Sequence, residues 1–345
     1  MKVCLITRNF LRETNQGVFK VAWNLVQNLR KLRDVEVEVI YDNKTKNFLD
    51  WLIFDHYTLP KTIFLNKSDL YHAILPDEAI PLVFLNKKPI VTHFHDIIPI
   101  VFPFERKLIP RLYFRYATFL AKRSEAIIAV SQSTKNDIVK RLKIEPDKIH
   151  VVYNGVNHDL FKPRKSEPEE NLIGYVGGLG KRKNVFSLII AFHKVIRKGV
   201  NGKLLIGGVG SEEQNLRKLV EKLGIKRRVE FLGFIPEEKL PVFYSMLKVF
   251  VFPSLYEGFG IPVLEAMACG TPVITSNTSS LPEIVGKGGI LVNPYNVNEL
   301  AEAIYGILTN DELRKNLIKK GLRRAKQFSW EKTAKETLKV YYEVL

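Results

Sequence analysis

The feature that most restricts the fold is a doubled alternation of short apolar runs with helical stretches. Strand-like runs fall at 2–7, 35–41, 89–93 and 126–130 in the first half, and at 172–176, 203–207, 229–232, 249–252 and 273–275 in the second. Val35-Glu36-Val37-Glu38-Val39 alternates as a half-exposed strand does, whereas Val249-Phe250-Val251-Phe252 reads as a short buried strand. Strands separated by helices build parallel sheets. The pattern breaks once, around 151–170, where Phe161-Lys162-Pro163 leads into the polar run Lys165-Ser166-Glu167-Pro168-Glu169-Glu170. Such a stretch marks a domain boundary. The expectation is an α/β chain with two Rossmann-like domains, 1–160 and 161–327. Open parallel sheets hold ligands at the carboxyl ends of their strands, which predicts a site in the cleft between the domains.

The strand–turn–helix corner after 249–252 carries the chemistry. Pro253 and Ser254 close the strand, Glu257-Gly258-Phe259-Gly260-Ile261-Pro262 turns, and Pro262 suits the start of a helix that holds Glu265. Gly258 and Gly260 let backbone amides approach a ligand at a helix N-terminus, where the dipole favours phosphate. Carboxylates beside an anion site are costly unless they accept hydrogen bonds from ligand hydroxyls. The pair therefore suggests a ligand with a diphosphate and two polyol ends, a nucleotide-sugar. Taken singly, Glu265 could serve only the helix dipole and Glu257 could be a solvated loop residue.

A second corner, Gly177-Gly178-Leu179-Gly180-Lys181-Arg182-Lys183-Asn184, joins a strand to a helix beginning near Val185. Glycines, helix amides and cations together suit a leaving phosphate, and a basic solvated turn is the alternative. It lacks the Gly-Lys-Ser/Thr ending of a P-loop. Gly207-Gly208-Val209-Gly210 imitates a dinucleotide fingerprint, but Glu213 stands where the third glycine belongs. In Thr92-His93-Phe94-His95-Asp96, the two histidines have no evident third metal ligand nearby. Ser131 reads as a helix cap.

The Glu257–Glu265 string resembles the acid–seven residues–acid signature of retaining glycosyltransferases of the GT-B fold, family 4, and the likeness extends over most of the chain. It implies that Lys183 holds the donor diphosphate; Gly178 stands in the place of a usual arginine, so that either Arg182 or Lys181 substitutes or backbone amides suffice. It implies that His95 faces the transferred sugar, that Glu257 holds the sugar hydroxyls and that Glu265 holds the ribose diol. Asn15-Gln16-Gly17-Val18 resembles the glycine loop over the donor phosphates, and Gly258, Phe259, Gly260 and Ile261 join the donor site. Gly208, Phe234 and Ile235 would border the base. Phe328-Ser329-Trp330-Glu331 is similar to the closing segment, so 328–345 is expected to return as a helix onto the first domain. The loop and the His-Asp-Ile-Ile-Pro segment look most like mannosyltransferases, which favours GDP-mannose as donor, with UDP-glucose next, and a glycan or lipid-linked acceptor. The chain has no Asp-x-Asp element, so neither a bridging metal nor any other cofactor is expected, and stabilisation of the leaving group falls to cations and amides. Another GT-B enzyme, such as a nucleotide-sugar epimerase or a glycan phosphorylase, would have less need of both glutamates. A noncatalytic basic module would have no need of a pyrophosphate loop.

Composition bears on partners and compartment. With 46% hydrophobic residues the chain is not disordered, and no apolar run approaches the ~18 residues of a spanning helix. Met1–Thr7 is too short in its apolar part for a signal peptide and reads as a first strand. Cys4 and Cys269 are expected to be buried thiols, and the expected location is cytoplasmic. The net charge of +17 fits either heat adaptation or an anionic partner. It is most concentrated from Phe102 to Arg123, where Arg106, Lys107, Arg111, Arg115, Lys122 and Arg123 interleave with aromatic and aliphatic residues. As one helix this segment would stripe Lys107, Arg111 and Arg115 on one face, suited to an anionic membrane surface or simply to solvent. Nucleic acid is not an expected partner.

Overall fold

The computed structural model describes residues 1–8, 17–42, 47–105, 107–164 and 171–345. Asn15, Gln16, Arg106 and the polar run 165–170 lie outside the described residues. Among the described residues twelve strands run β1 Lys2–Arg8, β2 Glu36–Asp42, β3 Leu70–Ala73, β4 Ile90–Phe94, β5 Ala126–Ala129, β6 Ile149–Val151, β7 Leu172–Val176, β8 Lys203–Gly207, β9 Val229–Gly233, β10 Val249–Phe252, β11 Val273–Ser276 and β12 Ile290–Val292. The helices of eight or more residues are α1 Gly17–Leu29, α2 Leu108–Ala121, α3 Val185–Arg197, α4 Glu213–Lys222, α5 Ile261–Ala268, α6 Val297–Thr309, α7 Asp311–Ala325 and α8 Trp330–Val344.

The chain forms two compact units, Met1–Gly155 with Trp330–Leu345, and Val156–Ser329. Unit 1 holds a parallel sheet in the order β2-β1-β3-β4-β5-β6, and unit 2 one in the order β12-β11-β10-β7-β8-β9. In unit 1, Val3 and Leu5 pack with α1 and with Ala334, Val340 and Tyr341 of α8, while Cys4 and Ile6 face the short helices of residues 54–63. Alternate side chains thus enter two cores, which is why Val3-Cys4-Leu5-Ile6 is apolar without interruption. Both cysteines are free and buried, and burial pushes each thiol up to about 12.

Strands β3, β6 and β12 carry no readable pattern in the sequence. The basic segment also differs from the single helix expected. A short helix at Ile98–Val101 and a 3₁₀ turn at Pro103–Glu105 precede α2, which begins at Leu108 with Lys107 as its N-cap. Pro110 explains the late start: without an N–H, and with a ring that blocks the preceding turn, it fits only the first turn of a helix. Arg111 and Arg115 therefore share the helix, but Lys107 does not.

In each sheet the chain reverses its direction of build-up at one place: between β1 and β3 in unit 1, and between β7 and β10 in unit 2. The loops leaving the carboxyl ends of neighbouring strands diverge there and open a crevice suited to a ligand.

Candidate active site

In unit 2 the switch point lies between the loops that follow β7 and β10, and the two loops are bound together. Leu255 N donates to Arg182 O at 2.8 Å, and Asn184 Nδ2 donates to Pro253 O at 3.1 Å and Pro294 O at 2.8 Å. Asn184 takes the left-handed conformation (φ 57°), which asparagine tolerates better than most residues, and so turns the 3₁₀ segment Lys181–Lys183 into α3. Tyr175 is fully buried beneath the glycines, stacks on Phe252 and donates to Gly178 O at 2.8 Å.

Three charges meet at this junction. Lys183 Nζ lies 2.6 Å and Arg182 Nη1 3.0 Å from Glu257 Oε1, which also accepts from Ser254 Oγ. Arg182 Nη1 donates to Tyr256 O as well. Burial pushes the Glu257 carboxyl up, but the charges of Lys183 and Arg182 outweigh it and hold the group below the ordinary glutamate value. The sequence assigns Lys183 and Glu257 to separate parts of a ligand; the fold makes them one ionic cluster carrying two cations against one anion.

The turn Glu257–Gly260 is clamped from β11. Ser279 Oγ accepts from Glu257 N at 2.9 Å, and Ser280 Oγ donates to Glu257 O at 2.9 Å and Phe259 O at 2.8 Å. Gly260 has φ +112°, a conformation that residues with a side chain rarely adopt, so glycine is favoured there. Gly258 and Phe259 are buried, and Ile261 opens α5. Glu265, in the same helix, is 2% exposed, and its Oε2 accepts from Tyr244 Oη at 3.0 Å.

Beside these loops, Gly208 N donates to Gly233 O, and a Cβ on Gly208 would fall 1.8 Å from Gly177 O, so the ends of β7, β8 and β9 abut. Ile235 packs over Gly207, and Phe234 is exposed. Gly178 is exposed, and a Cβ there meets nothing within 4 Å. The backbone is open to approach at that point, and a side chain would have room.

In unit 1, Gly17 is exposed at the start of α1. His95 follows β4, is partly buried, and has Nε2 3.1 Å from Ile74 O. Burial pushes its imidazole down to about 4. Ser131 caps its short helix, its Oγ accepting from Thr134 N at 3.0 Å. Among the described residues no cluster of three His, Cys, Asp or Glu side chains is arranged to hold a metal ion, and no helix is long and apolar enough to cross a membrane. The sequence reading missed the second layer of the site: Asn184, Ser254, Ser279 and Ser280. The run Thr278-Ser279-Ser280 after an apolar strand was the available signal.

Residues 157–324 match the family described as glycosyl transferases group 1, and residues 43–160 match glycosyltransferase family 4. The O-antigen chain mannosyltransferase B of Escherichia coli is 32% identical over 73% of this chain and 69% of its own length. An uncharacterized glycosyltransferase of Methanocaldococcus jannaschii is 31% identical over 92% of this chain and 93% of its own. Among solved structures, Anabaena HepE in complex with UDP-glucose superposes with a TM-score of 0.80 at 21% identity, over 99% of this chain and all of its own, and so shares the fold. With two parallel six-stranded sheets of the GT-B kind and an ionic cluster at the switch point of the second, the chain belongs to the family 4 (group 1) glycosyltransferases.

Proposed function

We propose that this glycosyltransferase moves a hexose from a nucleoside-diphosphate sugar to a glycan or lipid-linked acceptor, with retention of anomeric configuration and without a metal ion. The observation that carries the reading is the Lys183–Glu257–Arg182 cluster at the switch point of unit 2. Lys183 and Arg182 neutralise the departing diphosphate, a task that another class of enzyme gives to a divalent ion. Glu257, held charged by both, accepts hydrogen bonds from sugar hydroxyls. Glu265, steadied by Tyr244, takes the ribose diol. Gly178, Gly258 and Gly260 bring backbone amides near the phosphates, Gly17 is assigned to the phosphates as well, and Gly208, Phe234 and Ile235 border the base. His95 hydrogen-bonds the transferred sugar. With Glu257 engaged by its cations, no free carboxylate is assigned as a nucleophile, and the acceptor oxygen bonds to the anomeric carbon on the face from which the diphosphate leaves.

GDP-mannose is the favoured donor, supported by the mannosyltransferase name of the Escherichia coli relative. UDP-glucose is the alternative, supported by the ligand of HepE. Calorimetry across GDP-, UDP- and ADP-sugars, followed by NMR of the product anomer, tests both donor and stereochemistry. A product of inverted configuration, or no donor bound at all, overturns the reading.

One observation favours a membrane-borne acceptor. α2 buries Ala117, Thr118, Leu120 and Ala121 but leaves Leu108, Ile109, Leu112 and Phe119 more than half exposed, with Arg111 and Arg115 between them. Among the described residues, 12 of the 21 large hydrophobics with high exposure lie between Leu49 and Phe119, all of them in unit 1. A solvated basic helix would not show apolar side chains outward in this way. An anionic bilayer satisfies both components.

A further inference from the structure

Three imidazoles form a column in unit 1. His93 and His95 are two residues apart and so leave β4 on one face, and β3 pairs in register with His72 beside Val91, which puts His72 on that face too. The rings are nearly parallel: His72 and His93 lie 5.6 Å apart at 3°, and His93 and His95 lie 4.6 Å apart at 7°. At the far end His72 Nδ1 and Tyr341 Oη of α8 share a hydrogen bond of 2.6 Å. At the near end His95 Nε2 meets Ile74 O at 3.1 Å. A carbonyl oxygen only accepts, so Nε2 carries the proton and Nδ1 keeps its lone pair.

The middle ring is the anomaly. His93 is fully buried, and neither of its nitrogens has a hydrogen-bond partner among the described residues; His72 Nε2 is in the same position. Unpaired buried polar atoms cost stability, and leucine would fill the same apolar core without that cost. Stacked face to face, the rings do not point their nitrogens at a common centre, so a metal does not account for them. The ring planes do: His93 lies flat against one face of the His95 ring and restricts how it can rotate, and His72 backs His93 in turn.

We propose that His93 is a positioning residue, and that the Tyr341–His72–His93 stack holds the His95 ring in the plane where Nε2–H donates to Ile74 O and Nδ1 remains an acceptor for a substrate hydroxyl. The proposal rests on the reading that His95 meets the sugar. A small rotation of the ring would misdirect the Nδ1 lone pair, and misplacement of about 1 Å can cost up to ~100-fold in rate.

The test compares His93→Leu and His93→Phe with the parent, each labelled with ¹⁵N-histidine so that the His95 tautomer is read by NMR. His93→Leu is expected to fold with a denaturant midpoint at or above the parent's, because two unpaired buried nitrogens are gone. It should nonetheless lose the single Nε2–H form of His95, and kcat should fall roughly tenfold or more with little change in donor KM. His93→Phe keeps a flat ring and should keep the tautomer and most of kcat. An unchanged His95 tautomer in His93→Leu, equal losses in both variants, or a His93→Leu chain that does not fold overturns the proposal. His95→Ala, measured alongside, separates the two levels. Turnover unchanged in it removes His95 from the reaction and takes the proposal with it; turnover lost in it but kept in His93→Leu overturns the proposal alone.

Discussion

Replacing His93 by leucine should also flatten the acid side of the stability profile, by an amount that follows from linkage. An unfolded histidine titrates near 6.5. In the fold, burial pushes His72 down to about 3 and His95 to about 4, and holds His93 well below its ordinary value. Below pH 6.5 the unfolded chain therefore binds protons that the native chain refuses, and stability falls as pH falls. Each such histidine contributes at most about 1.4 kcal/mol per pH unit, so His93 alone costs up to about 2 kcal/mol between pH 6.5 and 5.0. Two buried carboxyls act in the opposite sense. Burial raises Asp55 to about 6 and Glu78 well above its usual range, so their contributions are present at low pH and lost as pH rises through those values. Both groups remain in the variant and cancel in the difference. Denaturant unfolding between pH 7.5 and 5.0, with hydrogen exchange of the β4 amides reporting unit 1 by itself, should show the advantage of His93→Leu growing by up to about 2 kcal/mol as pH falls below 6.5 and levelling off toward pH 7.5. A difference that does not change with pH would mean that His93 is protonated as readily in the fold as outside it, and the neutral stack would be refuted.

Lys183→Ala should lower turnover by roughly a hundredfold or more with the fold intact, as loss of an oxyanion-type stabiliser does; parent-level turnover in the folded variant would remove Lys183 from the reaction. Glu265→Gln should weaken free nucleotide by about 1.5–3 kcal/mol in calorimetry, while Glu257→Gln should spare the nucleotide and damage the intact donor; equal nucleotide losses would refute that division. Turnover should persist in EDTA, and loss restored by Mg²⁺ or Mn²⁺ would refute metal independence. Co-sedimentation with liposomes should require anionic lipid, weaken as salt shortens the ~10 Å screening length, and fall when Lys107, Arg111 and Arg115 become serine together, with donor hydrolysis unchanged; equal binding to neutral vesicles would refute an electrostatic surface.

Where the sequence was legible, the reason is periodicity. Val249–Phe252 announces β10 because all four side chains are buried. β6 and β12, of three residues each at or near the sheet edges, are too short to show an alternation, and β3 is Leu-Tyr-His-Ala, whose central histidine breaks the apolar pattern. The unread β3 hid His72, and with it the column; His93 and His95 alone suggested only a spare pair of ligands. At the donor corner the residue types of Lys183 and Glu257 could be read, but their ion pair could not. They lie 74 positions apart, and only the pairing of β7 with β10 brings them together. The serine clamp was hidden for the same reason, since it comes from the end of β11.

The path of the chain through its two units has a consequence for its synthesis. The polypeptide leaves unit 1 at Gly155, builds all of unit 2, and returns at Trp330 with the helix that supplies Ala334, Val340 and Tyr341 to the first core. The half translated first is therefore completed last, whereas unit 2 is continuous and can close as soon as Ser329 has emerged. At ordinary translation rates the seat of α8 stays uncovered for on the order of ten seconds or more, an apolar groove open to chaperones and to neighbouring nascent chains. A premature stop just before Trp330 should accordingly damage the amino-terminal unit and spare unit 2.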